Sequence, residues 1–115
     1  MAVSKQGMVD ARTAGEDLSE KLMYIAKLNS SEEAVLAGND EVGYGVITEA
    51  AAQGAAATLQ ISGIAKVVAS GAINAGAKVA VAAGGKAKAG TTNPIGVARS
   101  TVSADGEVVE VNLDA

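Results

Sequence analysis

The spacing in this chain that comes nearest to chemistry is Gly84-Gly85-Lys86-Ala87, which could be asked to cradle a phosphate. A phosphate-binding loop needs G-x-x-x-x-G-K-[ST], so that backbone N–H groups surround the anion and a hydroxyl holds Mg²⁺. Ala80 stands where the first glycine belongs and Ala87 where the hydroxyl belongs. Both defining features fail, and the run reads as a hairpin turn carrying an exposed lysine. The acidic clusters Glu32-Glu33, Asp40-Glu41 and Asp105/Glu107 are the next candidates, as ligands for a hard cation. Calcium loops place five or more oxygens through spacing such as D-x-[DN]-x-[DN]-G, which is absent, so these carboxylates read as solvated turn residues.

Nucleophilic catalysis fares no better. A serine or threonine hydroxyl needs a partner base, the chain has no His and no Cys, and no Ser-x-x-Lys spacing occurs. The same absences remove disulfides, thiolates, imidazole bases and the usual ligands of zinc. A lysine at a hairpin tip is also where biotin and lipoyl carriers are modified, but Lys86 lacks the methionine-type flanks of those domains. The expectation is a protein that is not an enzyme and holds no cofactor or metal.

Composition points to assembly instead. Of 115 residues 25 are Ala and 14 Gly, there is no Phe or Trp, and Tyr24 and Tyr44 are the two aromatics. Burying a Val, Leu or Ile contributes roughly 1.5–3 kcal/mol and Ala far less, so 26 Val, Ile and Leu residues make a thin core. Thin cores are commonly supplemented by subunit contacts, which stabilise the folded form by binding it. The net charge of −4, from 9 basic and 13 acidic residues, offers neither the basic stripe nor the stacking platforms of a nucleic-acid binder. No apolar run approaches the ~18 residues of a membrane span, and residues 1–10 lack the apolar stretch of a secretory signal. The expectations are no nucleic acid, no membrane and a soluble chain.

The elements that would position any contact surface are short. Residues 1–17 show no sustained period and are expected to be an extended N-terminal arm with isolated apolar residues, of which Val3, Met8 and Val9 are candidate interface positions. Residues 18–115 are expected to be a single β-rich domain. Residues 17–28 suit helical and strand spacing equally, turns are signalled at Asn29-Ser30-Ser31 and Ala37-Gly38-Asn39-Asp40, and a β-branched run spans residues 42–48. Thr58-Leu59-Gln60-Ile61-Ser62 alternates as a half-buried strand does. Residues 78–81 form another strand, Gly84-Gly85 and Asp105-Gly106 mark turns, and Val109, Val111 and Leu113 alternate with polar residues. About eight short strands result, with the six alanines of residues 50–57 as a helical turn or packed connection. The fold expected is all-β, a small β-sandwich or barrel of short antiparallel strands.

An echo runs through this pattern. Gly45-Val46-Ile47-Thr48, a small-residue stretch with Gly54, and Leu59-Gln60-Ile61 are answered by Gly96-Val97-Ala98-Arg99, a stretch with Gly106, and Val111-Asn112-Leu113. The structural reading is two similar hairpins paired in one core.

These same residues carry a resemblance. Gly45-Val46-Ile47 through Ser62-Gly63-Ile64-Ala65-Lys66-Val67, the run Ala72-Ile73-Asn74-Ala75-Gly76-Ala77-Lys78-Val79, and Ile95-Gly96-Val97-Ala98 with Asp105-Gly106 through Leu113 together resemble the tailed-phage capsid decoration, or cement, proteins. The resemblance spans residues 42–113 and fits residues 1–41 loosely. It implies a structural virion protein, made in the host cytoplasm, that sits on the outer capsid surface, binds the major capsid protein, forms a homotrimer and stabilises the shell. The same fold signals would suit another phage module, tail or fibre associated, or a bacterial surface assembly subunit.

Overall fold

A computed structural model describes residues 7–114 of the chain. Ten strands and no α-helix occur among the described residues. The first five are β1 (Val9–Thr13), β2 (Ile25–Leu28), β3 (Ala34–Leu36), β4 (Gly45–Glu49) and β5 (Ala56–Gln60), arranged β1-β5-β4-β2-β3. The second five are β6 (Ile64–Val68), β7 (Lys78–Val81), β8 (Ala87–Ala89), β9 (Gly96–Ala98) and β10 (Val108–Asn112), arranged β6-β10-β9-β7-β8. The two orders are one order, repeated five strands later, and every ladder is antiparallel.

Each sheet closes on itself. Just past β1, Ala14 bridges Ala34 of β3, and the Gly15 N–H donates to the Ala34 carbonyl at 2.8 Å. Just past β6, Ala69 bridges Ala87 of β8, and the Ser70 N–H donates to the Ala87 carbonyl, also at 2.8 Å. Closure leaves no long unpaired edge to recruit foreign strands. The all-β fold expected from the alternation is therefore a pair of small barrels, lobe 1 from β1–β5 and lobe 2 from β6–β10.

The repeat holds residue by residue. Ile25↔Val46 and Ala26↔Gly45 in lobe 1 match Lys78↔Val97 and Val79↔Gly96 in lobe 2. The left-handed backbone positions also pair: Met23 with Gly76, Glu32 with Gly85, Asp40 with Asn93, and Gly54 with Gly106. One glycine pair is required by close approach. A Cβ at Gly45 would lie 2.8 Å from the Gln60 carbonyl oxygen, and one at Gly96 would lie 2.2 Å from that of Asn112. The interiors correspond too. Lobe 1 buries Ala14, Leu18, Ala26, Ala34, Ile47, Ala51, Ala57 and Leu59, and lobe 2 buries Ala69, Ile73, Val79, Ala87, Ala98, Val102, Val109 and Val111 at the same places.

The structure extends and corrects the sequence reading. The echo is not two hairpins sharing a core but two whole barrels. Residues 56 and 57, at the end of the alanine-rich stretch, begin β5, and residues 50–55 turn without a helix. Within residues 1–17, read as an arm, residues 9–13 are β1, paired along their length with β5, and Ala14 is buried.

The lobes share a seam. Ile25 and Val46, on the outer face of lobe 1, belong to the same buried cluster as Val81, Ala65 and Val67 of lobe 2, with Ile95 and Leu113 packed against it. A Cβ placed on Gly43 would sit 2.8 Å from Ile25, 3.1 Å from Ile95 and 3.5 Å from Val81, so these side chains converge on one point. Polar contacts fix the rim. Asp40 N–H donates to Val81 O at 2.9 Å, Val68 N–H to Met23 O at 3.0 Å, and Lys88 Nζ lies 2.9 Å from Asp40 Oδ1. The buried amide of Gln60 donates to the Ser62 and Ile64 carbonyls at 2.9 and 3.0 Å, pinning the link between lobes.

Candidate functional site

The ends of the two barrels differ, and the difference is chemical. In lobe 2 the inward residues of β6 at one end are Ala65 and Val67, opposite Val111 and Val109. In lobe 1 the matching positions on β1 are Asp10 and Arg12, opposite Leu59 and Ala57. Arg12 Nε lies 2.8 Å from Asp10 Oδ2, the Tyr44 hydroxyl donates to the same oxygen, and the Arg12 guanidinium carbon stands 5.5 Å from the Tyr44 ring centroid. The Tyr44 and Arg12 hydrogen bonds hold the Asp10 carboxyl below its ordinary value, and the bond to Asp10 holds Arg12 above its own. A guanidinium, a carboxylate and a phenol satisfying one another form a polar lid across the barrel mouth. The lid is partly exposed, with about 30% of the Asp10 and Arg12 side chains reaching solvent.

Two other carboxylates act on backbone. Glu41 accepts from the Gly38 N–H at 2.6 Å and pairs with Lys27 at 2.8 Å, which holds its pKa down, the Lys27 bond being the larger cause. Glu107 accepts from the Ser103 and Ala104 N–H groups at 2.6 and 2.9 Å, and these bonds lower its pKa. Both are loop clamps. Among the described residues no three acidic side chains gather as a cation site. Lys86, the lysine of the glycine pair, spends its charge on Asp105 at 2.9 Å, which holds its pKa up. Gly84 and Gly85 both have positive φ, at 76° and 82°, as the hairpin turn between β7 and β8 requires.

What the surface offers is apolar contact. Met8, Val9, Leu22, Val42 and Val108 are the large apolar residues left exposed among those described. Met8 and Val9, the expected interface residues of the arm, sit together at the start of β1, with 65% and 58% of their surface open, while Val3 lies outside the described residues. The Ile61 N–H donates to the Met8 carbonyl at 2.8 Å, which fixes this pair beside the lobe junction. Leu22, Val42 and Val108 were not marked by the sequence, because an apolar residue in a turn or at a strand end looks the same whether or not it is covered.

Between the lobes a cleft of about 190 Å³ is lined by Ile25, Gly43, Tyr44, Gly45, Ile61, Pro94, Ile95 and Leu113. A smaller hollow of about 150 Å³, lined by Lys78, Pro94, Gly96 and Val97, lies on the outer face of lobe 2. The arrangement can bind a complementary surface. Among the described residues it brings together no nucleophile, base and orienting group.

A family model described as phage cement protein matches residues 21–113, which takes in both lobes from β2 to β10. No curated protein matches the chain. Among solved structures, the head fibre gp8.5 N base of bacteriophage phi29 is similar, with a TM-score of 0.71 over 92% of each chain at 14% identity. At that identity the likeness shows the fold.

Proposed function

The chain belongs to the phage cement protein family, and from that premise we propose that it decorates the outer surface of a phage head and stabilises the shell by binding the major capsid protein lattice. The observation that carries this reading is the match over residues 21–113, which takes in nine of the ten described strands, β2 to β10, rather than one strand or turn. It is a structural protein of the virion, and the proposal assigns it no catalytic step and no cofactor. A barrel pair with few bulky residues inside and several apolar residues outside gains stability from being covered. We assign the contact to the exposed start of β1, Met8 and Val9 together with Val3, and the working form to a homotrimer.

Mixing the purified protein with unexpanded and expanded empty shells tests the reading. Co-sedimentation with the expanded shell, and a raised temperature of shell disruption, are the expected results. Failure to sediment with either shell would remove the proposal.

A second reading is supported by the likeness to a head-fibre base: the chain is a fibre-associated module whose barrels seat a longer appendage. Labelled protein found at fibre attachment points alone would favour it.

A further inference from the structure

The contact that joins the two lobes is built from two different surfaces, and each lobe carries both. Lobe 1 supplies an outer face, Ile25 and Val46 on β2 and β4. Lobe 2 supplies a barrel end, Val81, Ala65, Ile95 and Leu113. The repeat gives each lobe a second copy of the surface that the other supplies at the seam. The outer face of lobe 2 is Lys78 and Val97, the register equivalents of Ile25 and Val46. The barrel end of lobe 1 is Leu28, Asp10, Tyr44 and Ile61, at the positions of Val81, Ala65, Ile95 and Leu113. Lys78 and Val97 line the outer hollow rather than the cleft between the lobes, and of the lobe 1 end Leu28 and Asp10 lie outside that cleft while Tyr44 and Ile61 line it.

Their side chains have changed together. Where the covered face carries Ile25, the open face carries Lys78. Where the covered end carries Ala65, the open end carries Asp10 beneath Tyr44. Lys78 thus answers an end that carries the Asp10–Arg12 pair and the Tyr44 ring, a polar exchange for an apolar pair. Lys78 is exposed and makes no ion pair among the described residues. The hollow under the seam repeats as well. Gly43, Gly45 and Ile25 line the cleft that Ile95 and Leu113 of lobe 2 close over, and Pro94, Gly96 and Lys78 line the open hollow of about 150 Å³.

We propose that copies of this chain join head to tail by repeating between molecules the seam that its lobes make within one, the Lys78–Val97 face of lobe 2 seating on the Leu28–Asp10–Tyr44 end of lobe 1 in the next copy. The partner is a second copy of this chain. Because face and end are different surfaces, the contact is heterologous, and it closes a ring when the rotation allows. The inference deepens the proposed trimer by naming the surfaces that make it, and it rests on that reading for the number three.

The absence of cysteine from the chain makes the test direct. Ile25 and Val81 face one another across the seam, so their equivalents Lys78 and Leu28 should meet between copies. The full chain carrying Leu28→Cys and Lys78→Cys, oxidised and run without reductant, is expected to give covalent multimers, while either single variant stays uncross-linked. Lys78→Glu in the cysteine-free chain is expected to lower the molar mass seen by light scattering with the thermal unfolding of the separated chain unchanged. Monomer alone from the double variant, or a dimer from Lys78→Cys by itself, would overturn the proposal, the latter by showing face against face. If shells still bind while the double variant stays monomeric, the contact is wrong and the cement reading stands. If cross-linking succeeds while no shell binds, the contact stands and the cement reading falls.

Discussion

Lobe 1 and lobe 2 have the same strand order, the same ladder register and the same closing bridge, yet they fill themselves differently. Of eight equivalent interior positions, lobe 1 has five alanines and lobe 2 has three. Lobe 1 makes up the volume with Tyr24, Leu36 and Tyr44 packed against its cluster and closes its mouth with Asp10 and Arg12. Lobe 2 keeps a branched aliphatic interior and has its mouth closed by Ile25 and Val46 from the other lobe. One backbone plan therefore accepts an apolar plug or a polar lid at the same place, and what covers the place decides which. Buried positions at a seam are aliphatic because apolar area is removed from water there. At the partly exposed mouth of lobe 1 the charges of Asp10 and Arg12 satisfy one another.

The largest effect expected from breaking this comparison is at the paired glycines. Gly96→Ala places a methyl 2.2 Å from the Asn112 carbonyl oxygen, a backbone atom that cannot swing away. A loss of about 4 kcal/mol is expected, read by denaturant unfolding. Gly45→Ala, at 2.8 Å from the Gln60 carbonyl, should cost less. Equal losses would show that the two β-turn-to-strand entries are not strained as the distances imply.

Next comes the seam. Ile25→Ala empties a fully buried site between the lobes and should cost about 3 kcal/mol. Its register equivalent on the open face, Lys78→Ala, should change the stability of the separated chain by less than about 0.5 kcal/mol. Parallel thermal melts at low protein concentration make the comparison. A large loss from Lys78→Ala in that condition would mean that the outer face of lobe 2 is covered within the chain.

The polar lid gives a smaller, pH-dependent effect. The Asp10 carboxyl is held below its unfolded value, so its contribution is present above about pH 4 and is lost as pH falls through the lower folded value. Asp10→Asn should therefore flatten part of the acid limb of the stability curve and change little at neutral pH beyond the loss of that bond. The loop clamps Glu41 and Glu107 shift in the same direction, so some acid dependence remains in the variant. An unchanged acid limb would show that the lid is not coupled to folding.

Much of lobe 2 was legible in the sequence. Val109, Val111 and Leu113 alternate cleanly, Gly84-Gly85 marks a turn, and Gly96 begins a strand. The echo between Gly45 and Gly96 pointed to the repeat but reached only four of the ten strands. β1 was hidden by its own chemistry. Val9–Thr13 has period two, but its inward residues are Asp10 and Arg12, so alternation marks the polar positions as facing solvent. β2 and β7 hid their kinship for the matching reason: Ile25 is covered by lobe 2 and Lys78 is not. A strand's sequence records its neighbours as well as its fold, and the neighbours are long-range facts. Met8 and Val9 were singled out as candidates because apolar residues stood out in a polar stretch, and both are exposed. The lid was not, because no motif announces a carboxylate, a guanidinium and a phenol that meet from residues 10, 12 and 44.

The most direct measurement is a reconstruction of the intact phage particle at a resolution that separates β-strands. The account predicts two-lobed, strand-rich density on the outside of the head, seated on the major capsid protein lattice, with lobe 2 of one copy touching lobe 1 of the next. Density confined to the tail, or a head surface bare of this protein, would contradict it.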